Sequence, residues 1–399
     1  MTVCSWTFEP KHPEYQQRNV WVEEVYRPYV LPRRTRSWYN VDQCQATEQR
    51  TARESTMAGQ LPKMMRKIVV TQLGSNFSQV TKLIEAPVPV PGPGQVLVRN
   101  RYVGINASDV NYTAGRYDSS ARPPFDAGFE GLGHIAAAGE NTGLKVGQPV
   151  VYLSMGAFAE YKVVEAKAVV PLPEENPQYL PFMLSGLTAA ISLDKVGEIK
   201  KGNKVLITAA AGGTGQFAVQ WCKNAGCEVL GTCSTEDKVQ FLKSIGCDRP
   251  INYKKEDLNA VLKAECPNGI DVVYESVGGE VFETCLNNLA INGRLMVIGA
   301  ISGYTTDYSG FKASSMLPLK MLQLSASLRG FFLMHYRRDF KEYMMQLVGL
   351  YKEGKMTSTV DMGDKSSTGP FVGLDRVNDA VEYMYSSQNI GKIIVQLYK

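Results

Sequence analysis

Residues Lys204-Val205-Leu206-Ile207-Thr208 form a short apolar run. It breaks into Ala209-Ala210-Ala211-Gly212-Gly213-Thr214-Gly215-Gln216 and resumes as a helical pattern. The spacing is A-x-x-G-x-x-G, a variant of the turn that joins a strand to a helix and cradles a pyrophosphate. Gly212 lets backbone approach the pyrophosphate, Gly215 lets the helix pack tightly on the strand, and Gly213 belongs to the same cofactor-binding turn. The first N–H groups of that helix lack intrahelical acceptors and face negative charge.

A site for NAD normally carries Asp or Glu at the end of the next strand to accept from the ribose 2′-hydroxyl. Here that strand ends Gly231-Thr232-Cys233-Ser234, with no acid. Ser234 can donate to a 2′-phosphate, Lys238 lies one helical turn on, and Tyr253 ends the neighbouring strand. A hydroxyl, an ammonium and a phenol suit a phosphate dianion, which favours NADPH/NADP+. Tyr304 follows Val297-Ile298-Gly299-Ala300-Ile301-Ser302-Gly303, just past the C-terminal end of an apolar strand. Ligands of open α/β sheets bind in that location.

The elements that must position these groups fall into two kinds. From Met65 to about residue 180 the pattern is β-rich. Arg66–Thr71 reads as a strand, Gly74–Asn76 as a turn before a second strand, and Gln95–Ile105 and Val150–Val170 as further short strands. The prolines between Pro87 and Pro93 exclude a helix or central strand there. From about Leu184 strands and helices alternate. The strands are Lys204–Thr208, Glu228–Thr232, Pro250–Tyr253, Ile270–Tyr274 and Arg294–Gly299. That alternation predicts βαβ units on a parallel sheet. The helix after the glycine turn shows one apolar face: Phe217, Ala218, Trp221, Cys222 and Ala225. Four segments follow: 1–62 as an N-terminal extension without periodicity, 63–184 as β-rich, 185–330 as dinucleotide-binding, and 331–399 as the return of the β-rich domain. Met57, Met64 or Met65 can each serve as an alternative start.

With 399 residues, 44% hydrophobic and 21% charged, the chain is long enough for two domains and too apolar for wholesale disorder. Its longest apolar run, Leu295 to Ile301, is far shorter than the roughly 20 residues of a membrane span. A net charge of +4, without a basic stripe, excludes a nucleic-acid footprint. The eight cysteines form no CxxC pair, and reduced thiols imply an intracellular protein. Glu9, Lys11, Glu14, Arg18, Glu23 and Glu24 interrupt any secretory leader. The C-terminal Gln396-Leu397-Tyr398-Lys399 is not a Ser-Lys-Leu-type address.

Zinc is not expected, because no cysteine lies between Cys44 and Cys222, and His134 is the only histidine of the β-rich segment. Two motifs and several longer runs carry a resemblance. Where zinc-dependent members of the medium-chain dehydrogenase/reductase superfamily have G-x-C-x-x-D, this chain has Gly104-Ile105-Asn106-Ala107-Ser108-Asp109. Where they have G-H-E, it has Gly128-Phe129-Glu130. Together with Thr208–Phe217, Tyr274–Gly279 and Gly330-Phe331-Phe332-Leu333, these runs resemble the superfamily's zinc-free branch of quinone and enone reductases, and more narrowly its prostaglandin reductases. The match extends from Met65 to Lys399.

The resemblance implies an α/β architecture, with a GroES-like β-rich catalytic domain beside a doubly wound Rossmann domain. It implies NADPH-dependent reduction of a conjugated double bond, as in a 15-oxo-prostaglandin 13-reductase acting on a lipid enone. Tyr304 is then the enolate stabiliser or proton donor, and Asn106, at the lost ligand position, touches carbonyl or nicotinamide. Thr214, Ser276, Ile298, Phe331, Phe332, Leu333 and Asn389 line the cofactor cleft. Tyr112, Tyr117 and Met155 are substrate-wall or core residues. An NADPH quinone reductase and a catalytically silent NADPH-binding interaction protein are the alternatives, as monomer or homodimer.

Overall fold

The structure, a computed structural model, describes residues 61–118, 120–309, 311 and 317–398. The extension expected over 1–62 lies almost wholly outside them.

Six parallel strands form the nucleotide-binding lobe. In spatial order they are Arg249–Asn252, Glu228–Cys233, Lys204–Ile207, Ile270–Glu275, Leu289–Val297 and Ser327–Gly330. Numbered within the lobe, the order is 3-2-1-4-5-6, the doubly wound arrangement whose switch point lies between the first and fourth strands. Val205 and Ile207 belong to the apolar cluster on one face of the sheet, and Leu206 to that on the other. A strand buried on both faces must be apolar throughout.

The helix after the glycine turn, Gly215–Asn224, is not one-sided as its pattern suggested. Every residue from Gly215 to Cys222 is buried. Its polar side is buried against an extended segment from the other end of the chain. Gln216 donates to the Thr359 carbonyl at 2.9 Å and accepts from its N–H at 2.8 Å, and Gln220 does the same with Thr357 at 3.0 and 2.7 Å. Side-chain amides can copy a backbone ladder, so glutamine satisfies a buried face that the apolar pattern misses.

The β-rich lobe is a mostly antiparallel sheet centred on Gln95–Gly104. That strand pairs with Glu130–Ala138, Tyr161–Glu165 and the C-terminal Lys392–Gln396. A smaller three-stranded sheet joins Met64–Val70 to Thr81–Pro87 and Phe125–Asp126. A one-turn helix, Phe77–Val80, capped by Asn76, separates its first two strands where a plain turn was expected.

Two expected domain edges differ from the packing. The edge at 184/185 falls within one continuous helical stretch, Phe182–Gly186 running into Leu187–Lys195. Beyond 331 the chain does not return at once to the β-rich lobe. Tyr343, Met344 and Leu347 of helix Phe340–Lys352 share the apolar cluster of the Rossmann helices, and Tyr343 lies 5.9 Å from the Trp221 ring.

Leu206 is fully buried at the centre of the parallel sheet. Leu206→Ala is expected to cost about 2–5 kcal/mol in chemical denaturation, by lost transfer energy plus a residual cavity. A loss under about 1 kcal/mol would contradict this placement.

Candidate active site

The strand Lys204–Ile207 ends at Thr208, and the chain turns through Ala209, which adopts a left-handed φ of 49°. Alanine thus holds the conformation usually given to glycine, at roughly 1–2 kcal/mol. Gly215 has no room for substitution, because a Cβ there would meet the carbonyl oxygens of Ala209 and Ala210 at 2.5 and 2.6 Å. Gly391 docks beside this turn, its N–H donating to the Ala211 carbonyl at 2.8 Å. The C-terminal segment is thereby brought against the turn, and Asn389 braces it by donating to the Gly391 carbonyl at 2.9 Å.

A cleft of about 1350 Å³ opens at this point, between the C-terminal ends of the parallel strands and the β-rich lobe. Every residue expected to bind the cofactor or to act in catalysis lines it. Gly212, Gly213, Thr214 and Gly215 come from the turn, and Ser234, Lys238 and Tyr253 from the next two strand ends. Ser276 and Ile298 follow the fourth and fifth strands; Phe331, Phe332 and Leu333 follow the sixth; Tyr304, Asn106 and Asn389 complete the set. Of the three aromatic or sulfur wall residues, Tyr117 and Met155 line the cleft. Tyr112 does not; it is packed against Phe125 and Phe129, with ring centroids 5.0 and 5.2 Å away.

The strand ends are held by a buried carboxylate that the sequence did not single out. Glu275 accepts from the N–H groups of Val277 and Gly278 at 2.8 and 2.9 Å, and Ser276 N–H donates to Thr208 Oγ1 at 2.8 Å. Burial raises the Glu275 pKa, against these donors. Lys238 departs from the solvated helix lysine its position allowed. It is 7% exposed, burial lowers its pKa, and Nζ donates to the Ser387 carbonyl at 2.8 Å. Tyr304 is buried, and its hydroxyl accepts from the Ala300 N–H at 2.9 Å. Burial also pushes its pKa up, so the phenol is protonated at neutral pH.

Asn106 does not offer a free amide to a ligand. Its Nδ2 donates to Glu130 Oε1 at 3.0 Å, and its Oδ1 accepts from Lys392 Nζ. Lys392 Nζ lies 2.6 Å from Glu130 Oε1, with side-chain exposures of 3% and 0%. An amide, a carboxylate and an ammonium are not a zinc donor set. Among the described residues no three of His, Cys, Asp and Glu are grouped to hold a metal. His134 instead meets Glu175, Nδ1 to Oε1, at 2.5 Å. Lys392 was overlooked because a lone lysine in an apolar strand carries no motif, although its place among Ile393, Ile394 and Val395 was a signal of a paired, buried charge.

The pyrophosphate cradle fits a dinucleotide on its own geometry. The turn is glycine where backbone must approach, and the helix start faces the cleft.

Comparison with known proteins agrees with this geometry. Residues 92–174 match the family model described as the alcohol dehydrogenase GroES-like domain, and residues 213–349 that described as zinc-binding dehydrogenase. Prostaglandin reductase-3 of Mus musculus is 54% identical over 342 residues, covering 84% of this chain and 90% of the relative. A probable quinone oxidoreductase of Leishmania amazonensis is 43% identical, covering 84% and 99%. Among solved structures, the Escherichia coli quinone oxidoreductase complexed with NADPH superposes with a TM-score of 0.71 at 27% identity, covering 83% of this chain and 99% of that one. A mycobacterial protein complexed with NADPH gives 0.73 at 26%, with the same coverage.

Asp109 makes a pH prediction. Its Oδ2 accepts from the Asn106 N–H at 2.8 Å, Oδ1 has no partner, and burial raises its pKa to about 8. The folded chain therefore keeps a proton that the unfolded chain loses near pH 4, so this group makes stability fall as pH rises from about 4 to 8, by at most about 1.4 kcal/mol per pH unit. Asp109→Asn is expected to remove that slope in denaturation curves at pH 6, 7 and 8; parallel profiles for the two proteins would refute the assignment.

Proposed function

The chain belongs to the prostaglandin reductase-3 family of the medium-chain dehydrogenases/reductases, and from that premise we propose that it is an NADPH-dependent enone reductase whose substrates are lipid ketones of the 15-oxo-prostaglandin type, reduced at the 13,14 double bond. The observation that carries the proposal is Tyr304: a buried, protonated phenol at the end of a core strand, in the same cleft as the glycine turn.

When bound, the dinucleotide supplies a hydride for the β-carbon of the substrate. The chain's own residues provide the rest. Gly212 to Gly215 and the helix start receive the pyrophosphate, and Ser234, Lys238 and Tyr253 receive the 2′-phosphate. Phe331, Phe332 and Leu333, leaving the sheet at Gly330, close the cleft near the reacting end. Reduction of an enone places negative charge on the ketone oxygen. The Tyr304 oxygen already accepts from Ala300 N–H, so its own proton is directed to a second acceptor. That proton meets the enolate oxygen and is available for transfer to it.

Tyr117 and Phe332, with ring centroids 5.5 Å apart, and Met155 give the cleft an apolar wall suited to an acyl chain and to exclusion of water. Asn106, with Glu130 and Lys392, acts behind this surface as a positioner. The six cysteines among the described residues are buried and unpaired, which fits an intracellular setting, cytoplasmic or peroxisomal. No helix among the described residues is long and apolar enough to cross a membrane.

NADPH oxidation with a 15-oxo-prostaglandin, set beside a quinone, tests the reaction. We expect kcat/KM to favour the enone. Tyr304→Phe should lower it by roughly 100-fold or somewhat more, as for loss of one preorganised donor worth about 2.7–4 kcal/mol. Wild-type kcat/KM in that variant, or preference for the quinone, would overturn the proposal. Lys238→Ala should raise the KM for NADPH by about tenfold or more and leave that for NADH unchanged, since one charge-assisted bond to phosphate is lost; equal changes with both cofactors would count against a 2′-phosphate site.

A further inference from the structure

Tyr304 closes a four-residue helix, Ile301–Tyr304, and the chain then passes through Asp307 and Tyr308, with left-handed φ of 51° and 59°. Two consecutive non-glycine residues in that region are strained and persist only when the surroundings hold them. Besides the loop's own bond from Tyr308 N–H to the Gly303 carbonyl, what holds them comes from the other lobe. Arg116 follows helix Ser108–Thr113 of the β-rich lobe. Its Nη1 donates to the backbone carbonyl of Tyr304 at 2.9 Å and to Asn111 Oδ1 at 2.7 Å. Nη2 pairs with Asp307, and the guanidinium lies 5.1 Å over the Tyr308 ring. Ser75 Oγ braces Asp307 from the same lobe at 3.1 Å.

We propose that Arg116 is a positioning residue, which from the β-rich lobe holds the strained Tyr304 loop so that the phenol faces the cleft. The inference rests on the enone-reductase reading for its kinetic consequence, though not for its structural one. Arg116 does not line the cleft itself. It acts through the peptide that carries Tyr304, and through Asn111, whose amide oxygen it holds. The Asp307 carboxylate is exposed, so the ion pair alone contributes little. The significant feature is a planar fork that reaches a carbonyl, an amide oxygen, a carboxylate and a ring face together. A lysine cannot reproduce it.

The test uses the full chain with Arg116→Ala, Arg116→Lys and Asp307→Asn, each with and without Tyr304→Phe. In the cofactor-free protein, amide hydrogen exchange over residues 300–309 should quicken in Arg116→Ala, less in Arg116→Lys and least in Asp307→Asn. In turnover with an enone, Arg116→Ala should lower kcat by roughly 10-fold or more, as misplacement of a reacting group does, with the KM for NADPH within about twofold and partial recovery in Arg116→Lys. In the Tyr304→Phe background the Arg116 substitutions should have no further effect. An equal kcat loss in both backgrounds, or unchanged exchange over 300–309, would overturn the proposal. If Arg116→Ala does not fold, Arg116→Lys and Asp307→Asn carry the same comparison. A wild-type protein that reduces no enone refutes the functional reading alone, and the exchange measurement still decides the clamp.

Discussion

The buried pair between Lys392 and Glu130 holds the floor of the cleft. Two charges with almost no solvent contact persist only if each is matched. Here the ammonium reaches both the carboxylate and the Asn106 amide, while Asn106 returns a hydrogen bond to the same carboxylate oxygen. Such a pair adds little net stability over apolar packing, but its partial loss leaves an uncompensated charge, which makes its geometry hard to vary. Lys392 opens the C-terminal strand, Glu130 opens the strand that pairs beside Gln95–Gly104, and Asn106 follows that central strand. The pair therefore sets where three segments of the β-rich lobe meet the glycine turn. Its aliphatic stem continues the same constraint: a Cβ on Gly213 would come within 3.1 Å of Lys392 Cδ.

On the opposite wall the constraint is topological. Strand order reverses between Lys204–Ile207 and Ile270–Glu275, so the loops leaving their carboxyl ends diverge and leave a crevice. Backbone donors stand at that crevice beside the side chains that line it. The helix start faces the cleft, and the buried Glu275 gathers the next turn around its own oxygens. The phenol of Tyr304 reaches the crevice from the end of the fifth strand, and its loop bears on the β-rich lobe through Arg116. The glycine turn and the Tyr304 phenol thus stand on different elements, and their relative placement depends on contact between lobes.

Much of this was legible in the residues. The apolar run before A-x-x-G-x-x-G, the alternation of strands and helices beyond Leu184, and the absence of an acid after Thr232 pointed to a parallel sheet and a phosphorylated dinucleotide. The same residues stand together in one cleft. What the residues did not show shares a cause. The buried polar side of helix Gly215–Asn224, the partners of Asn106 and the choice between wall and core for Tyr112 each depended on residues outside the local stretch. Gln216 meets Thr359, Asn106 meets Lys392, and Tyr112 packs against two phenylalanines. Helical periodicity measures apolarity, so a buried polar face matched to backbone looks like a solvated one.

Local order therefore settled the parallel strands and the glycine turn, because each is a property of neighbouring residues and of backbone sterics. Tertiary structure alone decided that Lys392 would occupy the vacated ligand region, that Lys238 would be drawn from solvent to a carbonyl of the other lobe, and that Arg116 would support Tyr304 from 188 residues away. Those outcomes depend on desolvation and on side chains converging from distant segments, and no spacing within one stretch of chain records them.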